Sequence, residues 1–266
     1  MKKVATIGID PVAVIVSEDG SMAYTADSAP GDIYAVKLPS LQIAWQQHVL
    51  GEPFGLLLYG GHLLVSLYGD DAVEELDPAT GSILADHATL PQGAGMTVDA
   101  NGRVVVASAS GYLVDLNGQY QKAGAGFSVA LVNGHLWTED YARMQIIRSD
   151  DGYTRVLPNP VHPFWLAPGA NGTLLIAAEG NNEDSDPGGV YSYDVASETF
   201  TLLDEPRDPD QVLQWGPTIY VAAHGSKQVA TINGSHVGAW AQGAAAVAIA
   251  PDFPLNLLVV AVNSHE

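Results

Sequence analysis

The chain has 266 residues, 47% apolar and 15% charged, a balance that excludes a disordered tail and a coiled coil. Ten Lys and Arg stand against thirty Asp and Glu, and the resulting charge of -20 argues against nucleic acid and anionic lipid as partners. Cysteine is absent, which removes disulfides, thiolate metal sites and a thiol nucleophile, and no apolar run reaches the ~20 residues of a membrane-spanning helix.

Met1-Lys2-Lys3 has the charged start of a signal peptide, but Asp10 and Pro11 interrupt the apolar segment that should follow. The expectation is therefore a cytoplasmic protein, or an extracytoplasmic one whose leader has been removed. From residue 12 onward one unit recurs. An apolar run at 12–16 meets a turn at Glu18-Asp19-Gly20, a second run at 22–26, a polar loop, a third run at 33–38, a turn at Pro39-Ser40 and a fourth run at 42–45. Later copies begin near Phe54, Met96, Ser128, Phe164, Gln211 and Val247, with turns at Gly60-Gly61, Asn101-Gly102, Asn133-Gly134, Asn171-Gly172, Gly216-Pro217 and Asp252. Such dipeptides supply the positive φ angles of tight hairpins. Third strands are expected at 73–76, 112–116, 144–147, 190–194 and 228–232.

Four strands per ~40 residues is the pattern of an all-β propeller forming a single domain over residues 1–266. Seven starts imply seven blades, with six as the alternative because two copies are short. The last copy has two strands only, so Lys3 to Ile7 is expected to add the outermost strand of that blade and close the ring.

Residues 12–20 followed by Ala23-Tyr24-Thr25-Ala26-Asp27, and residues 218–223, resemble YVTN-type repeats. Residues 133–140 are similar to the related NHL and lactonase-like propeller repeats. The asparagine that should follow the second strand is retained only at Asn263. The resemblance implies a fold more than an activity, since propellers host hydrolases, lyases and pure binding scaffolds.

In a propeller the residue just beyond each second strand opens on the central channel. That rule selects Asp27, Tyr68, Ser108, Glu139, Glu179, His224 and Asn263, with Asp140, His162 and His265 close by. A slip of one residue would turn any of these to the other face. The first functional expectation is a ligand- or protein-binding scaffold, a monomer contacting a small molecule or protein through the channel face. The alternative is a metal-dependent hydrolase or lyase. The lactonase-like resemblance implies Asp27, Glu139 and Glu179 as ligands of Ca2+ or Mg2+, with His224 or His162 moving the proton. Tyr68, Trp165 and Asn263 are candidate ligand contacts. The His162-Pro163-Phe164-Trp165 cluster suits a planar or sugar ligand, although an inner-strand Trp such as Trp165 is more often packing between blades. The acidic loop 179–189 misses the EF-hand pattern and reads as a solvated connection, and Asp204 to Asp210 reads as a stiff linker. No phosphate-binding glycine loop, nucleophile elbow or HExxH pair is present.

Overall fold

The computed structural model describes residues 6–89, 91–182, 185–243 and 245–263. Blade one comprises β1 (Pro11–Val16), β2 (Met22–Asp27), β3 (Asp32–Lys37) and β4 (Gln42–His48). Blade two comprises β5 (Pro53–Tyr59), β6 (His62–Leu67), β7 (Ala72–Leu76) and β8 (Ile83–Ala88). Blade three follows as β9 (Gly93–Val98), β10 (Val104–Ser108), β11 (Tyr112–Asp115) and β12 (Tyr120–Lys122). Blade four is β13 (Val129–Val132), β14 (His135–Asp140), β15 (Gln145–Arg148) and β16 (Tyr153–Val156). Blade five is β17 (His162–Pro168), β18 (Thr173–Glu179), β19 (Gly189–Asp194) and β20 (Thr199–Asp204). Blade six is β21 (Pro209–Trp215), β22 (Thr218–Ala223), β23 (Gln228–Asn233) and β24 (His236–Trp240), and β25 (Ala245–Asp252) and β26 (Leu257–Asn263) end the chain. Within each sheet the strands pair antiparallel in chain order.

Six blades are formed, not seven: among the described residues, the last repeat yields only the two-stranded sheet β25–β26. The expectation counted inner-strand starts, and a start guarantees only the hairpin that follows it. Outer strands need residues of their own. Of the segment expected to supply one, Thr6 and Ile7 are not in a strand, and residues 3–5 lie outside the described residues. The small sheet is instead wedged between blade six and blade one, burying Ala222 and Val229 against Ala246 and Ile249 on one side and Val14 and Ala23 against Ala248 and Ala261 on the other.

The hairpins form where the turn dipeptides predict them. Gly60 and Gly61 have φ of 62° and 86°, and Asn133 and Gly134 have 52° and 82°, the two consecutive positive angles that a two-residue turn matched to strand twist requires. Second strands are covered by blades on both faces and are therefore apolar almost without interruption. Thus β10 is buried along its whole length while outer strand β12 is exposed throughout. Trp137, Tyr191 and Tyr193, all fully buried, fill the space between blades four and five.

Candidate functional site

A break in register recurs near the start of the first strands. It lies between Pro11 and Ala13, Pro53 and Leu56, Pro163 and Trp165, Pro209 and Gln211, and Ala246 and Ala248. A bulge leaves one residue unpaired and turns its side chain. Val12, Phe54, Phe164, Asp210 and Val247 occupy those positions. Four of the breaks follow one local sequence: an acid or imidazole, a proline, then the bulged residue. The copies are Asp10-Pro11-Val12, Glu52-Pro53-Phe54, His162-Pro163-Phe164 and Asp208-Pro209-Asp210. Proline suits the place because it needs no hydrogen-bonding partner for an N–H it lacks.

Across from the residues that lead into the first strands stands the start of the loop after the second strand. The same backbone hydrogen bond recurs there, from Ser28 N to Asp10 O, Tyr68 N to Glu52 O, Tyr141 N to Ala125 O and His224 N to Asp208 O. His162 pairs with Glu179 in the same way. Structurally equivalent positions are thus Ser28, Tyr68, Tyr141, Glu179 and His224. Three of them, Tyr141, Glu179 and His224, line one cavity of about 360 Å³ together with Phe127, Phe164, Asp208 and Asp210. Blades four, five and six supply all seven side chains.

Within that cavity the polar groups are tied to one another. The Tyr141 hydroxyl donates to Glu179 Oε2 at 2.7 Å. His224 Nδ1 lies 3.1 Å from Asp208 Oδ2 and 4.0 Å from Asp210 Oδ2. Asp208, Asp210 and His224 each offer one ligand atom, and these lie within 4.8 Å of one another, a spacing that suits a divalent cation. Behind Tyr141, the His162 ring stacks at 4.7 Å, with its Nδ1 2.9 Å from the Tyr141 carbonyl and its Nε2 3.3 Å from Asn181 Oδ1. His162 therefore positions Tyr141 and is not among the side chains lining the cavity.

Two of the expected ligands fall short of the equivalent position, Asp27 by one residue and Glu139 by two. Asp27 is buried and accepts the backbone N–H of Ile9 at 2.8 Å and of Asp10 at 2.5 Å. Glu139 is fully buried beneath Phe127: its Oε1 accepts the N–H groups of Phe127 and Ser128 at 2.6 and 2.7 Å, and its Oε2 accepts the Ser128 hydroxyl at 3.0 Å. Desolvation pushes its carboxyl up from 4.5 to about 8, against the pull of those donors. Neither carboxylate lines the cavity with Glu179. Tyr68 stands at the equivalent position with its ring 6.2 Å from that of Phe127. Trp165 packs on the apolar cluster between blades five and six, and Asn263 ends β26 opposite Ala245. His265 lies outside the described residues, as do residues 183 and 184 of the acidic loop.

Sequence reasoning missed Asp208, Asp210, Tyr141 and Phe127. Asp208 and Asp210 were assigned to a linker, yet their Asp-Pro-Asp segment repeats the pattern that starts blades one, two and five. That was the available signal. The rule of taking the first polar residue at the end of the second strand stops at Glu139, inside β14 and two positions before Tyr141.

Comparison with solved structures places the fold. The chain is similar to Staphylococcus aureus virginiamycin B lyase, solved as a catalytically inactive variant with quinupristin (TM-score 0.78, 14% identity, 96% of this chain and 92% of that one). It is also similar to Kuenenia stuttgartiensis hydrazine synthase (TM-score 0.74, 13% identity, 100% and 99%). A third is the Pseudomonas aeruginosa periplasmic gluconolactonase (TM-score 0.66, 13% identity, 88% and 86%). The fold is a β-propeller. At these identities the likeness extends to the fold and no further, and no family model and no curated protein sequence matches, so membership of the YVTN or NHL families is not supported.

Proposed function

We propose that this propeller binds a small organic ligand in the channel-face cavity, with Glu179, Asp208, Asp210 and His224 as its polar contacts and Phe127, Phe164 and Tyr141 as its apolar wall. The observation carrying this reading is the convergence of these seven side chains, from three consecutive blades, on one cavity of about 360 Å³. That size and that mixture of a few polar groups with aromatic lining are typical of ligand sites. The test is a thermal-shift screen of amines, lactones and divalent cations against the wild type and Asp210→Asn. At least one class should raise Tm in the wild type and lose that effect in the variant. Hits that persist in the variant, or none at all, would retire the reading.

A second reading is favoured by the close approach of Asp208, Asp210 and His224: a metal-dependent, lactonase-like hydrolase or lyase. Those three side chains would hold Ca2+ or Mg2+, whose chemistry is to polarise a substrate carbonyl. Glu179, held by the Tyr141 hydroxyl, would carry a proton to or from the reacting carbon or oxygen. The lyase and gluconolactonase among the similar structures lean the same way. Metal analysis of protein purified without chelator distinguishes the two: stoichiometric metal that disappears in Asp208→Asn supports this second reading, and metal-free protein unaffected by added cation removes it.

A further inference from the structure

We infer that the ligand of this cavity is a small aromatic amine, a flat ring joined by a short arm to a protonated amino group. This rests on the reading of the cavity as a ligand site and names what the site selects.

The first observation is an aromatic surface that the fold does not need. Phe127 stands at its centre, with ring centroids 6.1 Å from Phe54, 6.2 Å from Tyr68, 4.9 Å from Phe164 and 5.8 Å from Tyr141. None of these five rings belongs to the apolar clusters that hold neighbouring blades together. All five remain partly exposed. Phe54 and Phe164 occupy bulges, so the backbone departs from its ladder where it turns them inward. Rings clustered at a channel mouth and kept out of the core are surface held ready for an apolar partner. Ring faces also attract cations.

The second observation is charge. With Phe164 the cavity carries Glu179, Asp208 and Asp210, and neither lysine nor arginine is among its lining residues. The chain as a whole is at -20. A carboxylate or phosphate entering there would face three carboxylates offset by a single imidazole, His224, already set against Asp208 and Asp210, whereas an ammonium group meets an excess of acid. Ring wall and acid wall meet in one cavity, so one molecule has to satisfy both.

Three probes separate ring from charge in isothermal titration calorimetry: tryptamine has both, indole-3-propionate has the ring with a negative charge, and hexylamine has the ammonium without a ring. Tryptamine should bind best, with each of the others weaker by about tenfold or more, the size expected for losing one stacked ring or one charge pair. Phe164→Leu keeps an apolar side chain and should weaken tryptamine severalfold without affecting hexylamine, while Asp210→Asn should weaken both amines and spare indole-3-propionate. Circular dichroism melts of both variants would check that the fold is kept. Indole-3-propionate or hexylamine binding as tightly as tryptamine overturns the ligand class. If that binding still falls in Asp210→Asn, the cavity survives as the site. Tryptamine binding untouched by both variants overturns the class and the cavity together, and absence of heat from all three probes overturns the class alone, leaving the site to the thermal-shift screen.

Discussion

Glu139 and Glu179 stand at the ends of the second strands of adjacent blades, β14 and β18, and do opposite things. Glu139 is wholly buried and binds the start of its own blade, gathering two backbone N–H groups and a serine hydroxyl. Glu179 lines the cavity with its Oε2 on the Tyr141 hydroxyl. The difference is two positions, a shift that keeps the face of an alternating strand but leaves Glu139 inside the ladder and puts Glu179 at the strand's last residue, so chemistry alone does not separate a carboxylate spent on backbone amides from one lining the cavity. Ser128 extends the structural role: its hydroxyl donates to Glu139 and accepts the Leu166 N–H from blade five, joining the two blades.

The sharpest way to break this comparison is to remove the member spent on backbone amides. Glu139→Ala should orphan three donors and lose on the order of 4 kcal/mol of stability in urea denaturation, taking a cost of about 1–3 kcal/mol for each group left unpaired. A loss below about 1 kcal/mol would mean that the Phe127–Ser128 cradle is held by something else. The pH dependence comes next. Because Glu139 titrates near 8 in the fold against 4.5 ordinarily, its neutral form is the one the fold prefers. Its stabilisation is complete below about 4.5 and is lost as pH rises through about 8, a decline of up to a few kcal/mol. Glu74, pushed up to about 7 by burial and by Asp86 and Asp70, adds a decline of the same sign. Glu139→Gln should flatten the profile between pH 5 and 9 to the share of Glu74, as read by Tm across that range; an unchanged slope would contradict the assignment.

A smaller effect is expected from the glycine beneath the carboxylate. A Cβ at Gly126 would sit 2.5 Å from the Glu139 carbonyl oxygen and 2.6 Å from its Oε1, so Gly126→Ala should cost about 1–3 kcal/mol by forcing backbone and side chain apart. In the Glu139→Ala background only the side-chain part of that clash is relieved, so a double-mutant cycle should show partial coupling, and full additivity would assign the whole cost to the carbonyl. The smallest change in stability belongs to the cavity side: Glu179→Gln keeps a hydrogen-bond acceptor for Tyr141 and should shift stability by less than about 1 kcal/mol, while weakening amine binding several times more than Glu139→Gln does.

Much of the architecture was legible. Turn dipeptides such as Gly60-Gly61 and Asn133-Gly134 and the apolar runs between them located the hairpins, because positive φ angles and period-two burial are local requirements. Counting repeats was less safe: Val247 correctly marks an inner strand, but four-stranded completion depends on pairing with distant residues. The site was legible by class more than by residue. Glu179, His224 and Tyr68 came from the rule of looking beyond the second strand; Asp27 and Glu139 obeyed the same rule and landed on backbone amides instead.

Residue order alone determined the all-β repeat, its turns and its acidic, cysteine-free character, since each depends on neighbours a few positions away. Which carboxylate lines the cavity and which is spent on backbone amides was decided by register and by the packing of blade four on blade five. Those depend on contacts between strands far apart in the chain, where one residue of slip exchanges inside for outside.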